Sequence, residues 1–120
     1  MSRGRAQPRR PMVELLWLQD CPNHPAARVL LGEVLGQLAP GTAVHEIDAT
    51  DPKVAERHRF PGSPTIRVDG RDVDPTYHDP SDYTPRCRLY RTMDGLRGLP
   101  DRGWVEAAIR ASLDPAGGPT

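Results

Sequence analysis

Residues 13–24 read Val13-Glu14-Leu15-Leu16-Trp17-Leu18-Gln19-Asp20-Cys21-Pro22-Asn23-His24. The first six form a short, nearly continuous apolar run, as a strand buried on both faces of a sheet requires. Beyond them, apolar residues fall at Ala27, Leu30, Leu31, Val34, Leu35 and Leu38, and this spacing lines one side of a helix that Pro40-Gly41 ends. Gly32 and Gly36 lie inside that helix, each costing about 1 kcal/mol relative to Ala. Close packing against a neighbour accounts for them, or mere tolerance.

Working outward, Ala43-Val-His-Glu-Ile-Asp48 reads as a second strand. Thr50-Asp51-Pro52 supplies a cap and a first-turn proline for a short helix through about Arg59. Thr65-Ile-Arg-Val68 and Arg71-Asp-Val-Asp74 flank Asp69-Gly70, a pair suited to a two-residue turn, so they predict an antiparallel hairpin. Asp101 caps a last helix with apolar positions Trp104, Val105, Ala108, Ile109 and Leu113. The expected class is α/β, in the order β-α-β-α-β-β-α, because a crossover helix joins parallel strands and buries its apolar side on the sheet. The expected sheet is a four-stranded mixed one with flanking helices.

A long insertion, 75–100, precedes the last helix, whereas connections in compact domains usually run about 4–6 residues. It carries Tyr77, His78, Asp79, Tyr83, Cys87, Tyr90 and the arginines Arg86, Arg88, Arg91 and Arg97. Within it Cys87-Arg-Leu-Tyr90 reads as a short extra strand. Residues 1–11, with four Arg and two Pro and no acid, read as a disordered basic tail, and 114–120 as a second tail, leaving 12–113 as one domain.

The 120 residues suffice for a single core. Sixteen basic side chains balance sixteen acidic ones, so the net charge gives no reason to expect nucleic acid or an anionic membrane as partner. Two cysteines are too few for a disulfide-stapled secreted scaffold, and Val13 to Leu18 is too short for a signal-peptide core. These features point to a cytoplasmic location.

Cys21 follows the buried strand directly and opens the helix. A thiol placed there faces unpaired backbone N–H groups and the positive end of the helix dipole, and both favour the reactive thiolate. Pro22 and Pro25 each remove a donor and weaken the effect, and an inert core thiol is the plain alternative. In Gly62-Ser63-Pro64-Thr65 a proline stands just before a strand-forming run. A proline is the residue whose preceding peptide bond can turn cis at little cost, and here it sets the Ser63 backbone against the end of the first strand.

The order of elements, the strand-Cys-Pro-x-x-helix junction and Ser63-Pro64-Thr65 together resemble the thioredoxin-like superfamily, over roughly Val13 to Leu113. The resemblance implies that Cys21 is the nucleophilic cysteine of a Cys-x-x-Cys motif, that Pro64 is its cis-proline, and that Ser63, Pro64 and Thr65 bind substrate. The departure is His24, which takes the place of the resolving cysteine, so the usual dithiol cycle cannot run within the motif.

His24 has three roles open to it beside that of an exposed first-turn residue: stabilising the thiolate, shuttling a proton, or ligating a metal with Cys21. Cys87 can resolve a mixed disulfide at Cys21 if the insertion folds back, or complete a Cys21/His24/Cys87 site for zinc, copper or mercury. It can equally be structural. His45, His58 and His78 lack metal-ligand spacing, and the insertion's arginines can hold a glutathione carboxylate or stay solvated.

Three functions follow as expectations. The first is a thiol–disulfide oxidoreductase acting through Cys21, without a cofactor, on a thiol or disulfide such as glutathione or a protein disulfide. The second is a soft-metal or organomercurial-handling protein. The third is a non-catalytic binding module of the same fold.

Overall fold

Val13, Leu15 and Leu16 are inaccessible to solvent, which puts strand β1 (Val13–Trp17) in the middle of the molecule. The structure, a computed structural model, describes residues 10–114. Nearly all of both expected tails lies outside them, although Pro11 is buried and the Arg10 guanidinium donates to the Pro40 carbonyl (3.4 Å). The chain continues through α1 (His24–Leu38), β2 (Val44–Asp48), α2 (Pro52–Arg57), β3 (Thr65–Val68) and β4 (Arg71–Asp72). It then forms β5 (Tyr90–Thr92), β6 (Gly95–Arg97) and α3 (Arg102–Leu113).

β1 pairs in parallel with β2, from Val13 opposite Val44 to Trp17 opposite Asp48. Its other edge pairs antiparallel with β3, Val13 facing Val68 and Leu16 facing Thr65, and β3 pairs antiparallel with β4. The result is a four-stranded mixed sheet in the order β2-β1-β3-β4. Alternation along β1 divides the apolar residues between two cores. Val13 and Leu15 join Ile66 and Val68 beneath Ala27, Leu31, Val34 and Leu35 of α1 and Val105 and Ile109 of α3. Leu16 turns the other way, onto Ala49, Ala55 and Phe60 on the α2 side.

Local signals place the ends of most elements. The Asp51 carboxylate accepts the Lys53 N–H (2.8 Å) with Pro52 in the first turn, and α2 stops at Arg57, two residues short of expectation, before Arg59 turns to φ 51°. Asp101 caps α3 through the Gly103 N–H (2.7 Å). Asp69 and Gly70 have φ of 53° and 82°, as the two-residue hairpin turn demands. A Cβ on Gly32 or Gly36 would meet nothing within 4 Å, so these glycines are tolerated on an exposed helix face and serve no close packing.

Asp69 also ties distant parts of the chain together. Its N–H donates to the Met12 carbonyl (2.7 Å), its carboxylate accepts the Met12 N–H (2.9 Å), and the Ser112 hydroxyl at the end of α3 donates to it (2.7 Å).

The 75–100 segment is more ordered than a plain loop. β5 and β6 make a hairpin through Met93 and Asp94, with Gly95 at φ 98°. Of the expected strand 87–90 only Tyr90 lies in a strand; Cys87 instead makes an isolated parallel bridge to Ser63. Among the described residues no helix is long and apolar enough to cross a membrane.

Candidate functional site

The end of β1 is held by a relay of hydrogen bonds. The Leu18 N–H donates to the Ser63 hydroxyl (3.1 Å), and the Leu18 carbonyl accepts the Cys21 N–H (3.1 Å). The Cys21 carbonyl then accepts the His24 N–H (3.3 Å), closing a turn over Pro22 and Asn23. α1 begins only at His24, so Cys21 stands just ahead of the helix and does not belong to its first turn. The shift has a local cause: Asn23 caps without a side-chain hydrogen bond, and neither Pro22 nor Pro25 has an N–H to offer. Cys21 is 6% exposed and Cys87 is exposed; both are free thiols.

Ser63 is joined to Pro64 by a cis peptide bond. The Ser63 N–H donates to the Arg86 carbonyl (2.8 Å), and its carbonyl accepts the Arg88 N–H (2.9 Å). The residue in register with Ser63 is Cys87. Ser63, Pro64 and Thr65 are all buried, and the polar backbone of Ser63 that was expected to meet a substrate is taken by the chain's own residues 86–88.

Arg88 fastens this strand. Its guanidinium makes two hydrogen bonds to the Asp72 carboxylate (2.7 and 3.1 Å) and one to the Thr65 hydroxyl (2.9 Å), which itself donates to the Gly62 carbonyl (2.6 Å). The guanidinium lies 4.2 Å from the centre of the Tyr90 ring. The Arg88 and Asp72 side chains are 10% and 2% exposed, so the pair is effectively removed from water. The Tyr90 hydroxyl donates to the Pro64 carbonyl (2.5 Å), and burial pushes the phenol far above its ordinary pKa, so it stays a donor. Farther along, Gly98 lies so close to the Asn23 amide that any side chain there would collide with it. The 75–100 segment therefore touches both the Ser63 corner and the turn that follows Cys21.

His24 faces a different set of groups. Its ring stacks on Trp17 at 4.4 Å between centroids, and Nε2 lies 3.3 Å from the Glu46 carboxylate and 3.0 Å from the Arg28 guanidinium. That nitrogen serves one of the two at a time: it accepts from Arg28 when the ring proton is on Nδ1, and donates to Glu46 when protonated itself. Arg28 also holds Glu46 through two hydrogen bonds of 2.7 Å, which keep the carboxyl titrating below its ordinary value. The Trp17 indole nitrogen beneath the stack is buried without a hydrogen-bond partner among the described residues.

The structure thus joins Ser63, Pro64, Thr65 and Cys87 into one contact network and links it through Leu18 to Cys21, while the polar contacts of the His24 side chain lead to Arg28 and Glu46. Among the described residues no three or more His, Cys, Asp and Glu side chains are grouped to hold a metal ion. A shallow polar cleft of about 220 Å³ lies between Pro52, Glu56 and residues 81–84 and contains none of these groups. Sequence reading missed Asp72, Tyr90 and Glu46. The available signal for Asp72 was an Asp-Val-Asp run in a hairpin arm, with a carboxylate on either side of a buried valine, beside an arginine-rich insertion. No protein-family model matches the chain, and no curated protein matches it.

Proposed function

We propose that the chain is a thioredoxin-like domain that performs thiol–disulfide exchange through Cys21, with Cys87 or glutathione as the resolving thiol. The observation that carries this proposal is the relay Cys21–Leu18–Ser63–Arg86/Arg88, which brings both thiol-bearing segments to a single corner. The strand order β2-β1-β3-β4 and a proline at the head of β3 support the resemblance.

The Cys21 thiolate attacks one sulfur of a disulfide RSSR; the S–S bond breaks, and one RS⁻ leaves and takes a proton. The thiolate of Cys87 then attacks the Cys21 sulfur and expels the second RS⁻. RSSR is reduced to two thiols while Cys21 and Cys87 are oxidised to a disulfide, which glutathione reduces for the next cycle. When glutathione resolves instead, its thiolate attacks the substrate sulfur of the Cys21–S–S–R mixed disulfide, the Cys21 thiolate leaves, GSSR forms, and no internal bond is made. The internal route requires the two Cα atoms to come within about 7 Å.

The 6% exposure of Cys21 favours a second reading, a non-catalytic module of the same fold. Mass spectrometry after treatment with oxidised glutathione separates the two. Exchange predicts a Cys21 adduct or a Cys21–Cys87 disulfide that Cys21→Ser abolishes, and Cys87→Ser leaves the adduct trapped if Cys87 resolves. Wild-type Cys21 that stays unmodified while the fold is intact leaves the binding module.

A further inference from the structure

We propose that residues 86–88 are a built-in occupant of the Ser63 edge, so that Cys21 exchanges with low-molecular-weight disulfides and excludes extended protein strands. This rests on the exchange reading of Cys21 and names its substrate class.

A protein strand that adds to an exposed backbone edge is held mainly by main-chain hydrogen bonds. Ser63 has one N–H and one carbonyl to give, and both are spent on Arg86 and Arg88. An incoming strand must first remove that segment, and more than two hydrogen bonds hold it. Arg88 carries the buried pair with Asp72, and pulling it away leaves a carboxylate that is 2% exposed without its countercharge. Tyr90 pins the next stretch to the Pro64 carbonyl. Gly62 has φ 138°, and a Cβ there would lie 2.7 Å from the Arg88 Cβ, so the close seating of the segment depends on a residue without a side chain. The segment also passes close to the Cys21 turn itself, where Gly98 lies against the Asn23 side chain. A small disulfide needs no backbone edge. It requires only a line of approach to one sulfur.

The test compares the reduced full-length protein against oxidised glutathione and against insulin, reading the rate of Cys21 oxidation by quenched mass spectrometry. Two variants loosen the segment: Tyr90→Phe, which drops one hydrogen bond, and the double change Arg88→Met with Asp72→Asn, which removes both charges of the close pair together and leaves Asp74, 3.8 Å from the Arg88 guanidinium, to its hydrogen bonds from Thr76. Wild type is expected to react with the small disulfide and far more slowly with insulin. The insulin-to-glutathione rate ratio is expected to rise several-fold in Tyr90→Phe and about tenfold in the double variant. Comparable wild-type rates on both substrates overturn the proposal, as does a selectivity unchanged in a folded variant. Should both variants fail to fold, the wild-type comparison decides by itself. A Cys21 inert toward both reagents overturns the exchange reading itself, an outcome distinct from lost selectivity.

Discussion

Gly62 is the residue on which the seating of the 86–88 segment turns. Its φ of 138° disfavours any side chain, and an added Cβ would run into Arg88. Gly62→Ala is therefore expected to destabilise the fold by about 2 kcal/mol or more, from backbone strain and overpacking together. Thermal denaturation checks this, and hydrogen exchange should show the Arg88 amide losing protection before the amides of β1. Glu46 makes a residue-scale prediction of a different kind. The Arg28 guanidinium, and after it His24, keep the folded carboxyl below its ordinary value, so the interaction stabilises above the normal carboxylate range. That contribution fades as the pH falls through the lowered folded value. Glu46→Gln should accordingly melt lower than wild type at neutral pH, and the gap should close in acid. Glu46 is partly solvated, which keeps the effect modest.

At the scale of elements, α1 carries two correctable weaknesses. Gly32 and Gly36 lie on its exposed side with open space where a Cβ would stand. Ala at either position should raise stability by about 1 kcal/mol, measurable by urea denaturation, without disturbing the packing of Leu31, Val34 and Leu35. Elements with local signatures were legible in the sequence: the apolar run of β1, the three-and-four spacing of α1, the Asp51 and Asp101 caps, and the Asp69-Gly70 turn. Each is encoded by neighbours a few residues apart. The β5–β6 hairpin is not legible because Tyr90-Arg-Thr92 and Gly95-Leu-Arg97 are too short to show a sustained alternation of apolar and polar residues on either side of Met93-Asp94, and Cys87–Tyr90 reads as a strand in their place. The site divided along the same line. Cys21 and Pro64 announce themselves by their flanks, whereas the Cys87–Ser63 bridge and the Arg88–Asp72 pair join residues 24 and 16 positions apart with no periodic signal.

Over the whole molecule, the sheet keeps its two apolar sides for separate tasks. One holds α1 and α3 over the larger core, and the other holds α2 over the smaller cluster around Phe60. The long insertion adds no third core. Its Leu99 packs against the larger core and its Tyr90 ring lies against Trp104, and polar contacts fix it at the Ser63 corner, notably a buried ion pair of a kind whose broken halves cost about 3–5 kcal/mol. The same economy shows at Asp69, where the hairpin turn, the backbone at Met12 and the last turn of α3 are gathered by one side chain and its amide. The entry and exit of the folded body are therefore neighbours. A short flexible linker from the end of α3 to Met12 would close the polypeptide into a ring without crossing the sheet, and fresh termini opened in the exposed stretch 79–82 would give a circular permutant with the same strand order.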